Sequence, residues 1–457
     1  MATGGRSSES LSNVDSAWLR MEDPTNLMTI TGLLTFDGMI DFARLKSEIE
    51  DRLLPFDRFR QRVVQPRLLF GKARWEEDEH FALKSHLRRI ALPHPADHGT
   101  LQEVVSELMS TPLDYSKPLW QFHFVENYAG GCALIGRIHH CIADGIALVR
   151  VMLSLFEEGP GGAGGTTRSG AAATGAASGA PKRKSRSSDG DEGLLSPARF
   201  LAVARNGANA VTELGKLLAL SADPVSAFKG KLGVTKRAAW SDAVPLAELK
   251  ALGKRLGATI NDTLLAAVTG ALRRYMLQRG EVAPELAIRA VVPVNLRPLD
   301  EPLELGNRFG LVFLGLPVGL GDPVERLVTL KREMDEIKAS PQAMVVFGVL
   351  NAIGMASSEI ESLAVSIFGR KATAVMTNVP GPQKPLYLAG RPIRDMMFWV
   401  PQSGRLGLGV SILSYNGNVR LGVAVDGGLV PDPGMIITHF HDELHELGAS
   451  TDGHRKP

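Results

Sequence analysis

A two-domain α/β protein is the fold class this sequence predicts, and three observations predict it. The chain has 457 residues, more than one ordinary hydrophobic core accommodates. From Gly159 to Glu192 the composition collapses into Gly, Ala, Ser and Thr around a basic knot, Lys182-Arg183-Lys184-Ser185-Arg186. Little of that stretch can be buried to offset the entropy of ordering it, so 159–192 reads as a flexible linker between domains 1–158 and 193–457. On both sides of it, short strand-like runs are mixed with runs of helical period.

In the first domain, Cys132-Ala133-Leu134-Ile135-Gly136 is apolar and strand-like, and residues 146–153 carry a helix pattern. The second domain opens with helical residues from 197 to about 220, followed by a helix at 246–256. The next helix covers 259–275, where Thr259 or Asn261 suits the N-cap. Strands follow at 287–295 and 311–316. Near the end, 408–415 and 419–426 flank Asn416-Gly417-Asn418, and Asn-Gly between two such runs signals a hairpin. The apolar run 344–356 is too short to span a membrane and is interrupted by Asn351. It reads as a buried core helix, with an interfacial helix touching lipid as the alternative.

Composition bounds the function. A net charge of only +2, with 22% charged residues, argues against a dedicated nucleic-acid binder, which concentrates basic charge on one face. Two cysteines, Cys132 and Cys141, make no disulfide framework and point to a reducing compartment. Residues 1–8 show no basic segment leading into an apolar one, so no secretory signal is expected. The expected location is cytoplasmic. The basic knot reads as a solvated charge run, attraction to anionic lipid or nucleic acid being the weaker alternative.

The chemistry is concentrated in Arg137-Ile138-His139-His140-Cys141-Ile142-Ala143-Asp144-Gly145, at a strand-to-helix corner where side chains project from a rigid scaffold. Histidine can take a proton and return it near neutral pH. Asp144 offers a carboxylate to organise the loop, or an N-cap for the helix that follows. Gly145 lets backbone approach closely. A zinc site would need further ligands; Cys141 and His123 are the nearby candidates and complete no metal pattern, so no metal is expected.

This motif has the His-His-x-x-x-Asp-Gly form of the coenzyme-A-dependent and carrier-dependent acyltransferase superfamily. Other blocks stand in order along the chain. They are Leu113-Asp114-Tyr115-Ser116-Lys117-Pro118-Leu119-Trp120, Gly257-Ala258-Thr259-Ile260-Asn261-Asp262 and Val292-Pro293-Val294-Asn295-Leu296-Arg297-Pro298. Gly306-Asn307-Arg308-Phe309-Gly310 and Thr377-Asn378-Val379-Pro380-Gly381-Pro382 complete the set. Together they resemble the bacterial wax ester synthase/diacylglycerol acyltransferase family over nearly the whole chain apart from the linker. The chain departs from the pattern at Met28-Thr29-Ile30-Thr31-Gly32, which lacks a histidine often seen there, and in the filling Cys141-Ile142-Ala143.

The resemblance implies a two-domain, chloramphenicol acetyltransferase-like α/β architecture, with mixed sheets, flanking helices and a channel between domains where the histidine sits. It implies transfer of a long-chain fatty acyl group from acyl-coenzyme A to a diacylglycerol or a long-chain fatty alcohol. Acyl-coenzyme A is then a donor substrate, and no permanently bound cofactor is expected. A peripheral contact with a membrane or lipid-droplet surface is the expected setting. Two other readings stay open: a condensation-type transferase with a carrier-bound donor, and a catalytically inactive lipid-surface binder. The intact His140, Asp144 and Gly145 speak against the latter.

A hydroxyl is too weak an acid to ionise at neutral pH, so its attack on a thioester needs a base, and His140 takes that role as the second histidine of the motif. His139 is assigned to loop architecture. Asp144 orients the loop, with Arg297 as its ion-pair partner by resemblance; the alternative for Arg297 is a solvated surface arginine. The backbone N–H of Gly145 is a candidate for the developing oxyanion. Asn261 and Asp262 are either an N-cap pair or supports beside the channel. A covalent route through Cys141 is the minority alternative. Trp120 reads as an aromatic anchor and residues 378–382 as a rigid turn. Lys236, Arg237 and Arg308 are unranked candidates for the coenzyme A phosphates.

Overall fold

A computed structural model describes residues 8–65, 73–143, 145–159, 212, 215–217, 219–296, 309–355, 365–367, 369–402, 404 and 406–453. The chain begins with β1 (Ser8–Ser10), α1 (Asn13–Arg20), β2 (Thr29–Phe36), α2 (Phe42–Arg52), β3 (Gln61–Val64) and β4 (Arg74–Glu77). It continues through β5 (Leu87–Ile90), α3 (His98–Met109), β6 (Trp120–Tyr128), β7 (Gly131–His139) and α4 (Gly145–Ser154). Further along come β8 (Lys236–Trp240), β9 (Val244–Pro245), α5 (Leu246–Leu256), α6 (Ile260–Leu277), β10 (Ile288–Asn295) and β11 (Phe309–Leu316). Then follow α7 (Pro323–Ala339), α8 (Gln342–Met355), β12 (Ala374–Pro380), β13 (Tyr387–Leu388) and β14 (Arg391–Trp399). The last elements are β15 (Leu408–Tyr415), β16 (Asn418–Asp426) and α9 (Gly434–Gly453).

Two mixed sheets carry the fold. The first has the order β13-β14-β2-β7-β6-β5, and the second runs β11-β10-β12-β15-β16-β8, with β9 paired to β16. The expected α/β class with mixed sheets and flanking helices is what forms. The hairpin lies where Asn-Gly placed it: Asn416 and Gly417 both take positive φ, 47° and 76°, as a tight turn of the primed kind requires. Thr259, not Asn261, caps α6; its hydroxyl accepts the Asp262 N–H while the Asp262 carboxylate accepts the Thr259 N–H. Gly257 closes α5 at φ 64°.

The division at the linker needs one amendment. β13 and β14 come from the second part of the sequence but belong to the first sheet, where β14 pairs antiparallel with β2. Without them β2 would be an open edge beside a half-built core, and edges of that kind are normally covered. A reading by sequence neighbours assigns these strands to 193–457, because nothing local in them names a distant partner. Residues 160–192 of the expected linker, and most of the helix expected at 197–220, lie outside the described residues.

The sheets meet at β14. Met397 and Trp399 pack on Trp240 and Ala424 from the second sheet. The approach is close enough to exclude a side chain: a Cβ on Gly422 would sit 2.4 Å from the Met397 methyl and 2.8 Å from the Trp399 indole nitrogen. Among the described residues no helix is long and apolar enough to cross a membrane. Residues 344–355 fall in α8, which packs on α1 and β11 as the core-helix reading expects.

Charge is buried where three helices join. Arg326 on α7 and Glu443 on α9 are both almost fully buried and ion-paired, and Arg274 on α6 binds the same carboxylate at 2.5 Å. Burial lowers the Arg326 pKa, so this pairing is what keeps its charge tolerable. Glu443→Leu should therefore destabilise the fold by about 3–5 kcal/mol, the usual cost of stranding a buried partner. A denaturant midpoint unchanged by that substitution would show the helix junction does not depend on the pair.

Candidate active site

β7 delivers the two histidines, and the backbone aims them apart. Residues 131–139 form the strand, with Thr29 of β2 opposite His139; the His140 amide then donates to the Met28 carbonyl at 2.7 Å. That bond carries the chain past the end of β2 and turns the second imidazole away from the first.

His139 is fully buried and its ring is committed on both sides. Its Nδ1 accepts the Cys141 backbone N–H at 3.0 Å, so the ring proton sits on Nε2, which faces the Glu22 carboxylate at 2.9 Å. Glu22 also accepts the Met28 N–H at 3.0 Å, and the Tyr115 hydroxyl lies 3.3 Å from His139 Nε2. Burial alone would raise Glu22, but the bonds from His139 and Met28 outweigh it and hold its carboxyl below the usual range. Burial and the Glu22 charge push the Tyr115 phenol far up, so it serves as a neutral donor. These bonds tie His139 to the turn that follows it. Glu22 and Tyr115 are its partners, and nothing in the sequence pointed to Glu22.

His140 is nearly buried, and its ring stacks on Trp18 of α1 with centroids 4.1 Å apart. Phe309, the first residue of β11, stands 5.7 Å from the His140 ring and also 5.7 Å from Trp18. His140 therefore sits between the first sheet and the second. It lines a cavity of about 320 Å³ whose walls come from β2, β7 and α4 on one side and β10, β11, β12 and α8 on the other. Among the described residues lining it, His140 is the one ionisable side chain; the rest are apolar or glycine apart from Thr377 and Asn378.

The remaining sequence candidates divide. Gly145 is the first residue of α4, where backbone N–H groups lack partners within the helix. Asn261 accepts a hydrogen bond at 2.9 Å from Asn378, whose side chain lines the cavity, so Asn261 supports the channel wall. Asp262 is consumed by the capping box. Trp120 is buried with its indole N–H on the Phe59 carbonyl at 2.9 Å, an anchor as expected. Residues 378–380 belong to β12, so the turn expected over 378–382 begins as a strand.

Asp144, Arg297 and Arg308 lie outside the described residues, and with them the expected Asp144–Arg297 pair. Lys236 is corrected: it is buried in an ion pair with Asp426 at 2.8 Å, because the pairing of β8 with β16 sets it directly opposite that aspartate, and it has no charge to spare for phosphates. Cys141 is fully buried, and burial pushes its thiol well above the ordinary value, which leaves no thiolate for covalent chemistry. Among the described residues no cluster of His, Cys, Asp and Glu could hold a metal ion. A second cavity, of about 600 Å³, shares Leu33, Met396 and Met397 with the first. Its charges are mutually engaged: Arg394 and Arg420 both bond Asp395.

Residues 11–264 match the family model described as the wax ester synthase/diacylglycerol acyltransferase catalytic domain, and 305–448 match the C-terminal domain of the same family. The chain belongs to the wax ester synthase/diacylglycerol acyltransferase family. It is an O-acyltransferase by that membership. A probable diacylglycerol O-acyltransferase of Mycobacterium tuberculosis, tgs1, is 28% identical over 448 residues, 96% of each chain. Another from that organism, tgs2, is 27% identical over 459 residues, covering 95% of this chain and 97% of its own. Among solved structures, the wax ester synthase/diacylglycerol acyltransferase of Marinobacter aquaeolei VT8 superposes with a TM-score of 0.69 at 22% identity, over 97% of this chain and 100% of that one. A trichothecene 15-O-acetyltransferase from Fusarium sporotrichioides gives 0.64 at 12% identity, over 98% and 96%, a likeness of fold alone.

Because the folded chain holds Glu22 below its ordinary pKa, ionised Glu22 stabilises the fold at neutral pH. That contribution is lost as pH falls from the ordinary glutamate value of about 4.3 through the lower folded value. The stability advantage of the native chain over Glu22→Gln, read from urea midpoints, should shrink between about pH 6 and about pH 3. An advantage that grows on acidification would contradict the Glu22–His139 assignment.

Proposed function

We propose that this family member transfers a long-chain fatty acyl group from acyl-coenzyme A to the hydroxyl of a diacylglycerol or a long-chain alcohol, with His140 as general base. One observation carries this reading: the sole ionisable group among the described residues of the cavity wall is a histidine, set in a chamber otherwise fit only for hydrocarbon. Burying a methylene is worth about 0.8 kcal/mol, so ten of them supply about 8 kcal/mol, the scale of micromolar binding. Chains of that length can be held by apolar walls without a dedicated phosphate site.

In the proposed step the imidazole of His140 removes the acceptor's hydroxyl proton as the oxygen attacks the thioester carbonyl. Negative charge gathers on the carbonyl oxygen, and the N–H groups at the start of α4, Gly145 among them, are the donors aimed at it. The tetrahedral intermediate collapses, the C–S bond breaks, and the departing thiolate takes the proton from the imidazolium. Ester and free coenzyme A are the products, and no acyl-enzyme is formed. The stack on Trp18 holds the base in place while both chains enter. Excluding water from the chamber keeps the thioester from hydrolysis. Acceptors this insoluble are drawn from a lipid surface, so the protein works peripherally at a membrane or droplet.

His140→Ala should lower acyl transfer from acyl-coenzyme A by about a hundred- to ten-thousand-fold, the usual worth of a general base, with the circular-dichroism spectrum unchanged. A folded variant that keeps turnover would remove His140 from the mechanism. Cys141→Ala should stay within a few-fold of the native rate, since its buried thiol takes no part. Loss of transfer there, with folding intact, would favour a covalent route instead.

A further inference from the structure

Glycine weakens a strand interior, so two glycines side by side in the middle of a sheet need a reason. Gly32 of β2 stands directly opposite Gly136 of β7. Across β14, Phe398 stands opposite Gly32, and across β6, Phe122 stands opposite Gly136. Directly opposed residues share a face of the sheet, so these four form one row, Phe398-Gly32-Gly136-Phe122, and all four line the cavity. The two glycines differ in what covers them. A Cβ on Gly136 would meet the Phe122 ring at 3.0 Å, so that ring leans over it and accounts for it structurally. A Cβ on Gly32 would meet nothing nearer than the Met397 carbonyl oxygen at 4.0 Å. Gly32 therefore leaves a gap in the floor of the cavity, with a phenyl ring on either side of the row.

Resting on the transfer reaction proposed above, we infer that Gly32 sets the acyl length the protein accepts: the tail of the donor's acyl group crosses the sheet through this gap. Gly136 lies three residues before His139, about 10 Å at the usual rise of a strand, and so does the Gly32 opposite it. A short acyl group held at His140 ends before the row, whereas a long one must pass over it. Leu148, Met152 and Leu153 of α4 line the same cavity as the row. That helix begins at Gly145, beside the base, so a thioester carbonyl directed at its first N–H groups sends its tail beneath the same helix. This geometry assigns the slot to the acyl donor and not to the acceptor.

The test is Gly32→Leu, with Gly32→Ala as a smaller step that strains the strand less, assayed with octanoyl- and palmitoyl-coenzyme A against hexadecanol and octanol. The ratio of kcat/KM for palmitoyl over octanoyl donor should fall at least tenfold in Gly32→Leu and by a smaller factor in Gly32→Ala. Both ratios should be insensitive to acceptor length. Equal losses for both donors, or an unchanged ratio in a folded variant, would overturn the assignment. So would a loss that follows the alcohol's length, which would give the slot to the acceptor. If Gly32→Leu fails to fold, the Gly32→Ala ratio decides by the same criteria. Failure of the native chain to form ester from any of these pairs would refute the transfer reaction itself, a result distinct from a native chain that transfers while its Gly32 variants keep the native profile.

Discussion

Everything at the site depends on a buried imidazole whose two nitrogens are both engaged by the protein. His139 accepts the Cys141 amide with one nitrogen and donates to Glu22 with the other, so the turn after β7 has one conformation. Glu22 in turn holds the Met28 amide, and the Met28 carbonyl holds His140. The path closes on itself: carboxylate, first histidine, turn, second histidine and the end of β2 are one hydrogen-bonded unit. It is buried, so each bond is made at low dielectric and each missing one would leave a polar group stranded. The result is that His140 has its orientation decided before any substrate arrives, and Trp18 supplies the surface against which it rests.

The same arrangement explains why the two histidines cannot exchange roles. His139 has no ring atom left for a substrate. His140 faces the cavity between the two sheets, where hydrocarbon can approach from both. An enzyme joining two long-chain molecules needs a meeting point with apolar space on either side and one proton-handling group between. The sheets provide the first by packing through Met397 and Trp399 against Trp240 and Ala424 while leaving the region around Phe309 open. In the proposed mechanism the motif provides the second.

Much of this was legible in the sequence, for identifiable reasons. The strand-to-helix corner shows because strand period and helix period change within a few residues, and the hairpin at Asn416-Gly417 shows because only a few residues tolerate positive φ in succession. His139 and His140 could be told apart only by their order in the motif. Glu22 and Trp18 could not be found, since they lie more than a hundred residues from the histidines and no local pattern marks them. β14 fell within 193–457 for a related reason: nothing local in it says which neighbour it joins. Lys236 misled because a lysine in a strand looks solvated until a buried aspartate, Asp426, is brought beside it. What sequence pattern misses here is long-range pairing, which is decided by packing and not by spacing.

In the proposed mechanism transfer is direct: His140 activates the acceptor's hydroxyl, and the protein never carries the acyl group itself. It is tested most directly by mixing the purified protein with palmitoyl-coenzyme A in the absence of acceptor, then following free thiol release and the intact protein mass. Direct transfer predicts no burst of coenzyme A and an unchanged mass, with release beginning only when alcohol or diacylglycerol is added. A burst of one coenzyme A per protein, together with a mass gain of one acyl group, would contradict it and place a nucleophile in the chamber that this account does not contain.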